Sequence, residues 1–281
     1  MPQVLARDGA PIAYDDAGQG RPLLLVHGWA THGGFFRPQV AGLSDRFRVI
    51  APDLRGHGRS HRPGDRPTVA QLAGDIADLA AALDLGDMVV AGWSMGALVL
   101  WQALLDGLAP RVAGMAVIDM APKVVNTDGW DLGLRGSHPA RSLGPAADAM
   151  RADWPQVSRR AAHRIFAPDL PQDRPDMAAW AVGEIGAADA DAMAHLWLSL
   201  AALDFRPTLP RLPVPSLVLH GLRSRLYGAE TAAHLTGLLP RAWRLGLERS
   251  GHAPHLEEPD AVNAAIASFA ATLPRPPPAP A

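Results

Sequence analysis

A serine between two glycines is the feature of this sequence with the clearest chemical meaning. Residues 92–96 read Gly-Trp-Ser-Met-Gly, and they lie between a short apolar run at 88–91 and a helix-like run at 97–101. A tight turn from a strand into a helix can present a serine hydroxyl as a nucleophile, and glycines two residues to either side leave room for it. Such a short pattern also occurs by chance, so the prediction of Ser94 as the nucleophile depends on its context.

A base for Ser94 is predicted near the end of the chain. His252 follows Ser250 and Gly251 directly after an apolar run, and its glycine and proline neighbours favour a loop. A histidine on such a loop can lean over the edge of a sheet towards the serine. His255, three residues further on, precedes an acidic helix start and is interpreted as a helix-capping or surface residue.

An oxyanion hole needs two backbone N–H groups that point at the same developing negative charge. We assign one to Met95, which follows Ser94 at the start of a helix whose dipole favours negative charge. We assign the other to Trp29, in the loop after the apolar run at 22–26. Gly28 permits a sharp turn there, although His27 and Gly28 could equally form an ordinary strand exit.

These residues require a scaffold that brings distant turns together, and the alternation of apolar runs with helical patterns predicts one. Strands are expected at 11–15, 22–26, 48–51, 88–91, 113–118, 216–219 and 243–247, and helices at 69–83, 95–105, 229–238 and 260–271. This order predicts an α/β fold with a largely parallel sheet. Polar or glycine-rich turns follow most of these strands, and ligands bind at the carboxyl ends of such sheets.

The stretch at 121–212 breaks this alternation, since it is helical in spacing and shows no convincing strand. We predict a core built on the sheet at 1–120 and 213–271, a helical lid at 121–212 and a flexible proline-rich tail at 272–281.

Composition excludes several classes of protein. The formal net charge of −2 gives no basic field for nucleic acid or an anionic membrane, and the absence of cysteine excludes thiol nucleophiles and thiolate metal sites. No apolar run reaches the roughly 20 residues that a membrane helix needs. The first residues lack the pattern of a secretory signal. A cytoplasmic protein without cofactor or metal is expected.

Four segments together resemble the α/β-hydrolase fold serine esterases in order and spacing: residues 26–29, 51–60, 92–96 and 250–252. The resemblance covers residues 5–125 and 213–271. It implies a mostly parallel eight-stranded sheet flanked by helices, with a nucleophile that precedes the histidine, unlike the order in the serine proteases. In that family the segment with Asp53 and His57 is a structural turn, so neither residue is expected to be catalytic.

The acid of the expected triad is missing from its usual place. The family pattern Gly-x-x-Asp reads Gly-Leu-Arg-Ser at 221–224, so Ser224 replaces the carboxylate. Some α/β-hydrolases, including haloalkane dehalogenases and certain small bacterial esterases, are similar in drawing the acid from the strand that here ends at Asp119. We assign Asp119 as the acid and Ser224 as a hydrogen-bonding auxiliary. A helix-capping role for Asp119, or Asp204 as the acid, remains an alternative.

The expected reaction is hydrolysis of a small-molecule carboxylic ester through an acyl-enzyme on Ser94. We expect His27, Gly28, Trp93 and Trp130 to line the substrate pocket. A haloperoxidase-like perhydrolase, or a ligand receptor with little turnover, are the alternatives.

The predicted lid carries an excess of arginine at 133–166. Such a basic lid resembles that of the pimeloyl-carrier-protein methyl ester esterases, whose lids meet an acidic carrier protein, although those enzymes keep the usual acid position. The resemblance implies an acyl carrier protein as a possible partner, whereas ordinary solvated helix faces would also explain the arginines.

Overall fold

A computed structural model describes residues 2–274 and places a single eight-stranded sheet at the centre of them. The strands are β1 (Gln3–Leu5), β2 (Pro11–Ala17), β3 (Arg21–Val26), β4 (Phe47–Pro52), β5 (Met88–Trp93), β6 (Val112–Ile118), β7 (Ser216–Gly221) and β8 (Ala242–Leu247). Their order is β1-β2-β4-β3-β5-β6-β7-β8, with β2 antiparallel to both of its neighbours and the strands from β4 to β8 parallel. The predicted α/β-hydrolase fold class is confirmed.

Helices cover the sheet and fill the long connection between β6 and β7. The α-helices are α1 (Arg37–Leu43), α2 (Val69–Ala82), α3 (Met95–Ala103), α4 (Pro139–Ser142), α5 (Gly144–Ala152), α6 (Trp154–Arg164), α7 (Leu170–Asp173), α8 (Pro175–Gly186), α9 (Ala190–Ala201), α10 (Ala229–Leu238), α11 (Pro254–Glu257) and α12 (Pro259–Thr272). Short 3₁₀ turns lie at Gly33–Phe36, Gly58–Ser60, Ala109–Arg111 and Leu209–Arg211, and one π turn lies at Leu104–Leu108. None of the helices described is long and apolar enough to cross a membrane.

The central strands are buried along their whole length, which explains their continuous apolar sequences. All six residues of β5 are buried, and β5 lies between β3 and β6. The register pairs Gly92 with Val26 on one side and with Val117 on the other. The carboxyl ends of three neighbouring strands therefore coincide at the turn that carries Ser94.

The segment between β6 and β7 forms a separate helical layer, which we call the insert and which extends from residue 121 to 212. Its helices pack mainly in pairs, α5 against α9 and α6 against α8. Its two ends lie side by side, because Lys123 and Asp204 form an isolated antiparallel bridge and their side chains approach to 3.6 Å. The insert also contacts the core, since the Trp29 indole N–H donates to the Met193 carbonyl at 3.0 Å.

The C-terminal end of the described chain is more ordered than the sequence suggested. Helix α12 continues to Thr272, Leu273 is buried, and the Pro274 carbonyl accepts a hydrogen bond from Arg21 at 2.9 Å. The prediction of a tail from residue 272 was therefore wrong for 272–274, because apolar Leu273 completes the contact of α12 with the sheet. The rest of the predicted tail, 275–281, lies outside the described residues.

Replacing Gly96 by alanine tests how closely α3 and β3 approach each other. A Cβ at this position would overlap the Val26 carbonyl oxygen. We expect Gly96→Ala to lower the free energy of unfolding by about 3 kcal/mol, since a rigid backbone group must move. Gly74→Ala is the control, because a Cβ there meets open space and alanine favours α2 by roughly 0.5–1 kcal/mol. Equal stability of both variants in urea denaturation would contradict this account.

Candidate active site

Ser94 lies in a backbone conformation that few residues adopt. Its φ of 52° and ψ of −123° fall in a strained region, and its N–H donates to the Ile118 carbonyl at 3.0 Å. A Cβ at Gly92 would come within 2.6 Å of the Ala97 nitrogen, and one at Gly96 would overlap β3. The two glycines are therefore required by the turn, as the spacing predicted, and the turn places Ser94 at the end of β5.

His252 lies in the loop between β8 and α11, and a carboxylate holds its ring. Its Nδ1 is 2.7 Å from Oδ2 of Asp119, and both side chains are buried, at 3% and 2% exposure respectively. An ionised carboxylate only accepts hydrogen bonds, so the Nδ1–H of the imidazole donates and Nε2 is left as the acceptor. The backbone of His252 is held as well, because its carbonyl accepts the Trp93 indole N–H at 2.7 Å.

Asp119 reaches His252 from the end of β6, the strand beside the serine turn. It has a φ of 46°, and its N–H donates to the Leu219 carbonyl at 2.8 Å, which places it at the ends of both β6 and β7. Ser224 donates its hydroxyl to the same Oδ2 at 2.8 Å. The structure therefore brings Asp119, Ser224 and His252 together.

The geometry supports neither of the alternatives, which were Asp204 as the acid and a helix-capping role for Asp119. Asp204 lies at the end of the insert, where its carboxylate binds Arg206 at 2.6 Å and approaches Lys123. The hydrogen bonds found for the Asp119 carboxylate go to His252 and Ser224 rather than to the start of a helix.

A cavity of about 300 Å³ opens beside these residues, between the sheet edge and the insert. Ser94 and His252 both line it, together with Gly28, Trp29 and Trp93. Its remaining wall is mainly aliphatic: Met120, Val124, Leu134, Met150, Val157, Ile165, Ile185, Leu200 and Leu226. The space therefore suits an apolar group placed next to the serine hydroxyl.

Three polar side chains in this wall were not foreseen from the sequence, namely Arg160, Arg164 and Tyr227. Tyr227 is buried with its ring centroid 5.7 Å from that of His252, and its hydroxyl lies 3.5 Å from the Met120 sulfur. Burial raises the pKa of Tyr227, and the negative charge of Asp119 raises it further, so the phenol stays neutral. The sequence could have pointed to Tyr227 because it follows Ser224, a residue already assigned to the site, by three positions.

His27 and Trp130 do not line the cavity, so their placement in the substrate pocket was wrong. His27 is fully buried, and its Nε2 accepts the Leu54 N–H at 2.9 Å, which joins the exits of β3 and β4. Trp130 packs against His234 and under the Arg206 guanidinium, beside the ends of the insert. In each case the side chain contacts other residues of the scaffold instead of the cavity.

The groups assigned to the oxyanion hole lie beside Ser94. Trp29 and Met95 both line the cavity, and within residues 2–274 neither backbone N–H has a protein acceptor. Met95 begins α3, so its N–H is one of the free donors at a helix start. A Cβ at Gly28 would lie 3.3 Å from the Ser94 Cβ, which shows how near this loop is. Their role stays a prediction.

Asp53 and His57 occupy a structural turn below the site. The Asp53 carboxylate accepts the N–H groups of Gly33 and Arg59 at 2.9 and 2.8 Å and also binds the Arg59 side chain. Burial opposes ionisation of Asp53, but the bonds from Arg59 bring its pKa below the ordinary value. Burial lowers the pKa of His57 to about 4, and its neutral ring accepts the Ala30 N–H at 3.3 Å.

His255 is a core residue, and its interpretation as a helix-capping or surface residue was wrong. It is fully buried in α11, with ring centroids 4.5 Å from Trp93 and 4.8 Å from Phe36. Neither ring nitrogen has a hydrogen-bonding partner among residues 2–274. Burial lowers the pKa of His255 to about 3, helped by the nearby His252.

Comparison with known proteins agrees with this fold. Residues 21–259 match the family described as alpha/beta hydrolase fold. The AB hydrolase superfamily protein YisY of Bacillus subtilis is 26% identical over 92% of this chain and 94% of its own length. A pimeloyl-[acyl-carrier protein] methyl ester esterase of Xanthomonas axonopodis pv. citri is 31% identical, over 92% of this chain and 99% of its own. A solved thermophilic esterase from Thermogutta terrifontis superposes with a TM-score of 0.84 at 27% identity, covering 96% of this chain and 98% of its own.

Replacing His255 by phenylalanine tests the effect of its burial on stability. The unfolded chain protonates this histidine below its ordinary pKa of 6.5, whereas the folded chain does so only near 3. The group therefore destabilises the fold by about 2 kcal/mol at pH 5 relative to pH 7.5. We expect His255→Phe to be as stable as wild type at pH 7.5. Between pH 5 and 6, the free energy of unfolding should change with pH less steeply, by the equivalent of about one bound proton. Urea denaturation measures both, and an unchanged slope would contradict the neutral buried ring.

Proposed function

This chain belongs to the alpha/beta hydrolase fold family and is a carboxylic ester hydrolase, and we propose that it works through an acyl-enzyme on Ser94. In this proposal His252 is the general base and Asp119 is the acid that orients it. The observation that carries the proposal is the 2.7 Å contact between His252 and Asp119, both buried, at a cavity that Ser94 also lines.

The first half of the reaction forms the acyl-enzyme. The Ser94 Oγ attacks the carbonyl carbon of the ester while Nε2 of His252 takes the hydroxyl proton. The oxyanion of the tetrahedral intermediate accepts hydrogen bonds from the N–H groups of Trp29 and Met95. The C–O bond to the alcohol then breaks, and Nε2 returns the proton to the leaving oxygen.

The second half repeats this sequence with water as the nucleophile. His252 takes a proton from water, whose oxygen attacks the acyl carbon, and the carboxylic acid leaves as Ser94 regains its proton. In both halves the imidazole becomes positively charged, and the Asp119 carboxylate stabilises that charge. Ser224 donates to the same carboxylate oxygen and keeps it oriented.

The alternatives have less support. The receptor hypothesis depended on a missing carboxylate, and the His252 imidazole does have a carboxylate partner. A perhydrolase would use the same three residues, and no observation favours it over ester hydrolysis.

An ester carried by an acyl carrier protein is a second candidate substrate. Arg160 and Arg164 line the cavity on α6, and neither has a carboxylate partner within the described residues. Burial lowers the pKa of Arg164, and the neighbouring Arg225 lowers it further, so an anion bound there would relieve an unfavourable charge. The similar Xanthomonas protein carries the name pimeloyl-[acyl-carrier protein] methyl ester esterase. These observations favour a substrate with an anionic group at this end of the cavity.

Removing the charge of Asp119 tests the acid assignment. We expect Asp119→Asn to lower kcat for p-nitrophenyl butyrate by about three to four orders of magnitude, as loss of the charged partner does in the serine-protease triad. Ser224→Ala should cost far less, since it removes one hydrogen-bond donor and leaves the negative charge of Asp119 in place. Ser94→Ala should abolish the burst of p-nitrophenol. Equal losses from the Asp119 and Ser224 variants, or a full loss only in Asp204→Asn, would refute the assignment.

Neutralising Arg160 and Arg164 together tests the second candidate. We expect the double variant Arg160→Gln with Arg164→Gln to raise KM for a methyl ester on acyl carrier protein roughly tenfold. This is equivalent to about 1.4 kcal/mol of lost charge interaction. KM for neutral p-nitrophenyl butyrate should change less than about twofold. Arg159→Gln is the control, because this exposed residue of α6 does not line the cavity. The same KM shift in the control, or on the neutral ester, would exclude a specific role.

A further inference from the structure

Glu257 joins two parts of the molecule that are far apart in sequence. It ends α11, five residues after His252. Its carboxylate accepts hydrogen bonds from backbone N–H groups of both the insert and the His252 loop. Oε2 accepts from Gly251 at 2.8 Å, and Oε1 accepts from Ala167 at 2.8 Å. Gly251 directly precedes His252, and Ala167 belongs to the insert. One carboxylate therefore connects the insert to the loop of the base.

The backbones that Glu257 connects are in direct contact. A Cβ at Gly251 would overlap the backbone of Phe166 and Ala167 on the insert. A Cβ at Gly221, the last residue of β7, would overlap the Gly251 carbonyl. Phe166 and Ala167 are themselves buried. The loop that carries His252 is thus confined between the sheet and the insert.

We propose that Glu257 is a positioning residue that fixes the His252 loop against the insert and so keeps the imidazole directed at Asp119. This inference rests on the proposed function, because it takes His252 as the general base. It implies that the position of the insert, which covers the cavity, and the orientation of the base are set by the same side chain.

The protonation state of Glu257 decides how well the bridge holds. Burial raises the pKa of Glu257 to about 7, against the opposing effect of its backbone hydrogen bonds, and the charge of Glu258 raises it further. When ionised, the carboxylate accepts both N–H groups; when protonated, it has a weaker acceptor at one oxygen. The bridge should therefore weaken as the pH falls through 7.

Other charged groups face this carboxyl from the elements packed around it. They are Glu258, which follows it in the chain, and Arg223 after β7. Arg223 pairs with Asp169 in the insert, and Arg249 at the start of the loop pairs with Glu258. Arg223 and Arg249 each have an acidic partner other than Glu257.

Glu258 provides a matched control. It holds the same loop from the other side, since Oε2 accepts the Arg249 N–H at 2.9 Å and the Ser250 hydroxyl. The hydrogen bonds found for its carboxylate stay within this loop and do not reach the insert. Glu257 thus has a hydrogen bond to the insert, the contact that the proposal concerns, and none is found for the Glu258 carboxylate.

The test is the pH profile of kcat between pH 5.5 and 9 for wild type, Glu257→Gln and Glu258→Gln. p-Nitrophenyl butyrate serves as substrate, followed at a wavelength where phenol and phenolate absorb equally. The wild-type acid limb should include the ionisation of Glu257 and so be steeper than the limb of a variant without this carboxyl. In Glu257→Gln the limb should become a single ionisation, and kcat at pH 8 should fall roughly tenfold with little change in KM, because the base is displaced. Glu258→Gln should keep a limb that includes the ionisation of Glu257, moved to lower pH because the charge of Glu258 no longer raises the pKa of Glu257.

Thermal denaturation separates positioning from folding. Because the pKa of Glu257 is raised, its contribution to stability is fully present below its ordinary value of 4.5 and is lost as the pH rises through about 7. Glu257→Gln should lack this loss of stability between about pH 4.5 and 7, because its amide does not ionise. If that variant does not fold, Glu257→Asp keeps the charge but shortens the reach, and should lower kcat while the acid limb stays steep.

The inference and the proposed function would be contradicted by different results. A folded Glu257→Gln protein with the wild-type acid limb and kcat would overturn this inference alone. Full activity of His252→Ala would instead overturn the proposed function on which it rests.

Discussion

The hydrogen bond between the His252 imidazole and the Asp119 carboxylate is the interaction on which the proposed site depends. It joins the last loop of the chain to the end of a central strand, across 133 residues of sequence. An imidazole that takes a proton in a buried place needs a negative charge beside it, because an isolated buried charge is unfavourable. The sheet supplies that charge from β6 rather than from the turn after β7, where Ser224 stands. Ser224 still contributes, since it donates to the same carboxylate oxygen.

The parallel register explains how these groups meet. Ser94 ends β5 and donates its N–H to Ile118, while Asp119 ends β6 and donates its N–H to Leu219. Each strand end is thereby fixed on its neighbour. Both Ser94 and Asp119 have positive φ, an unfavourable conformation for residues with side chains, so two adjacent strand ends carry backbone strain at the site.

Much of this arrangement could be predicted from the sequence. The glycines at 92 and 96 and the histidine loop follow from local rules for turns, and seven of the eight strands in the described chain were foreseen. The choice of Asp119 came from the resemblance to hydrolases that draw their acid from this strand end. The eighth, β1, has only three residues, too few for a hydrophobic pattern. His27, Trp130 and His255 were misplaced for a common reason: residue type suggested contact with substrate or solvent, whereas long-range packing decided their environment. The arginines of α6 and the bridge of Glu257 depend on how the insert packs on the core, which no local pattern encodes.

The most direct test is nuclear magnetic resonance of the imidazole protons in protein labelled with ¹⁵N-histidine. The account predicts a strongly downfield proton bound to Nδ1 of His252 in wild type, retained in Asp204→Asn and lost in Asp119→Asn. A proton that persists without Asp119, or one that is bound to Nε2 instead, would contradict the claim that this carboxylate holds the base.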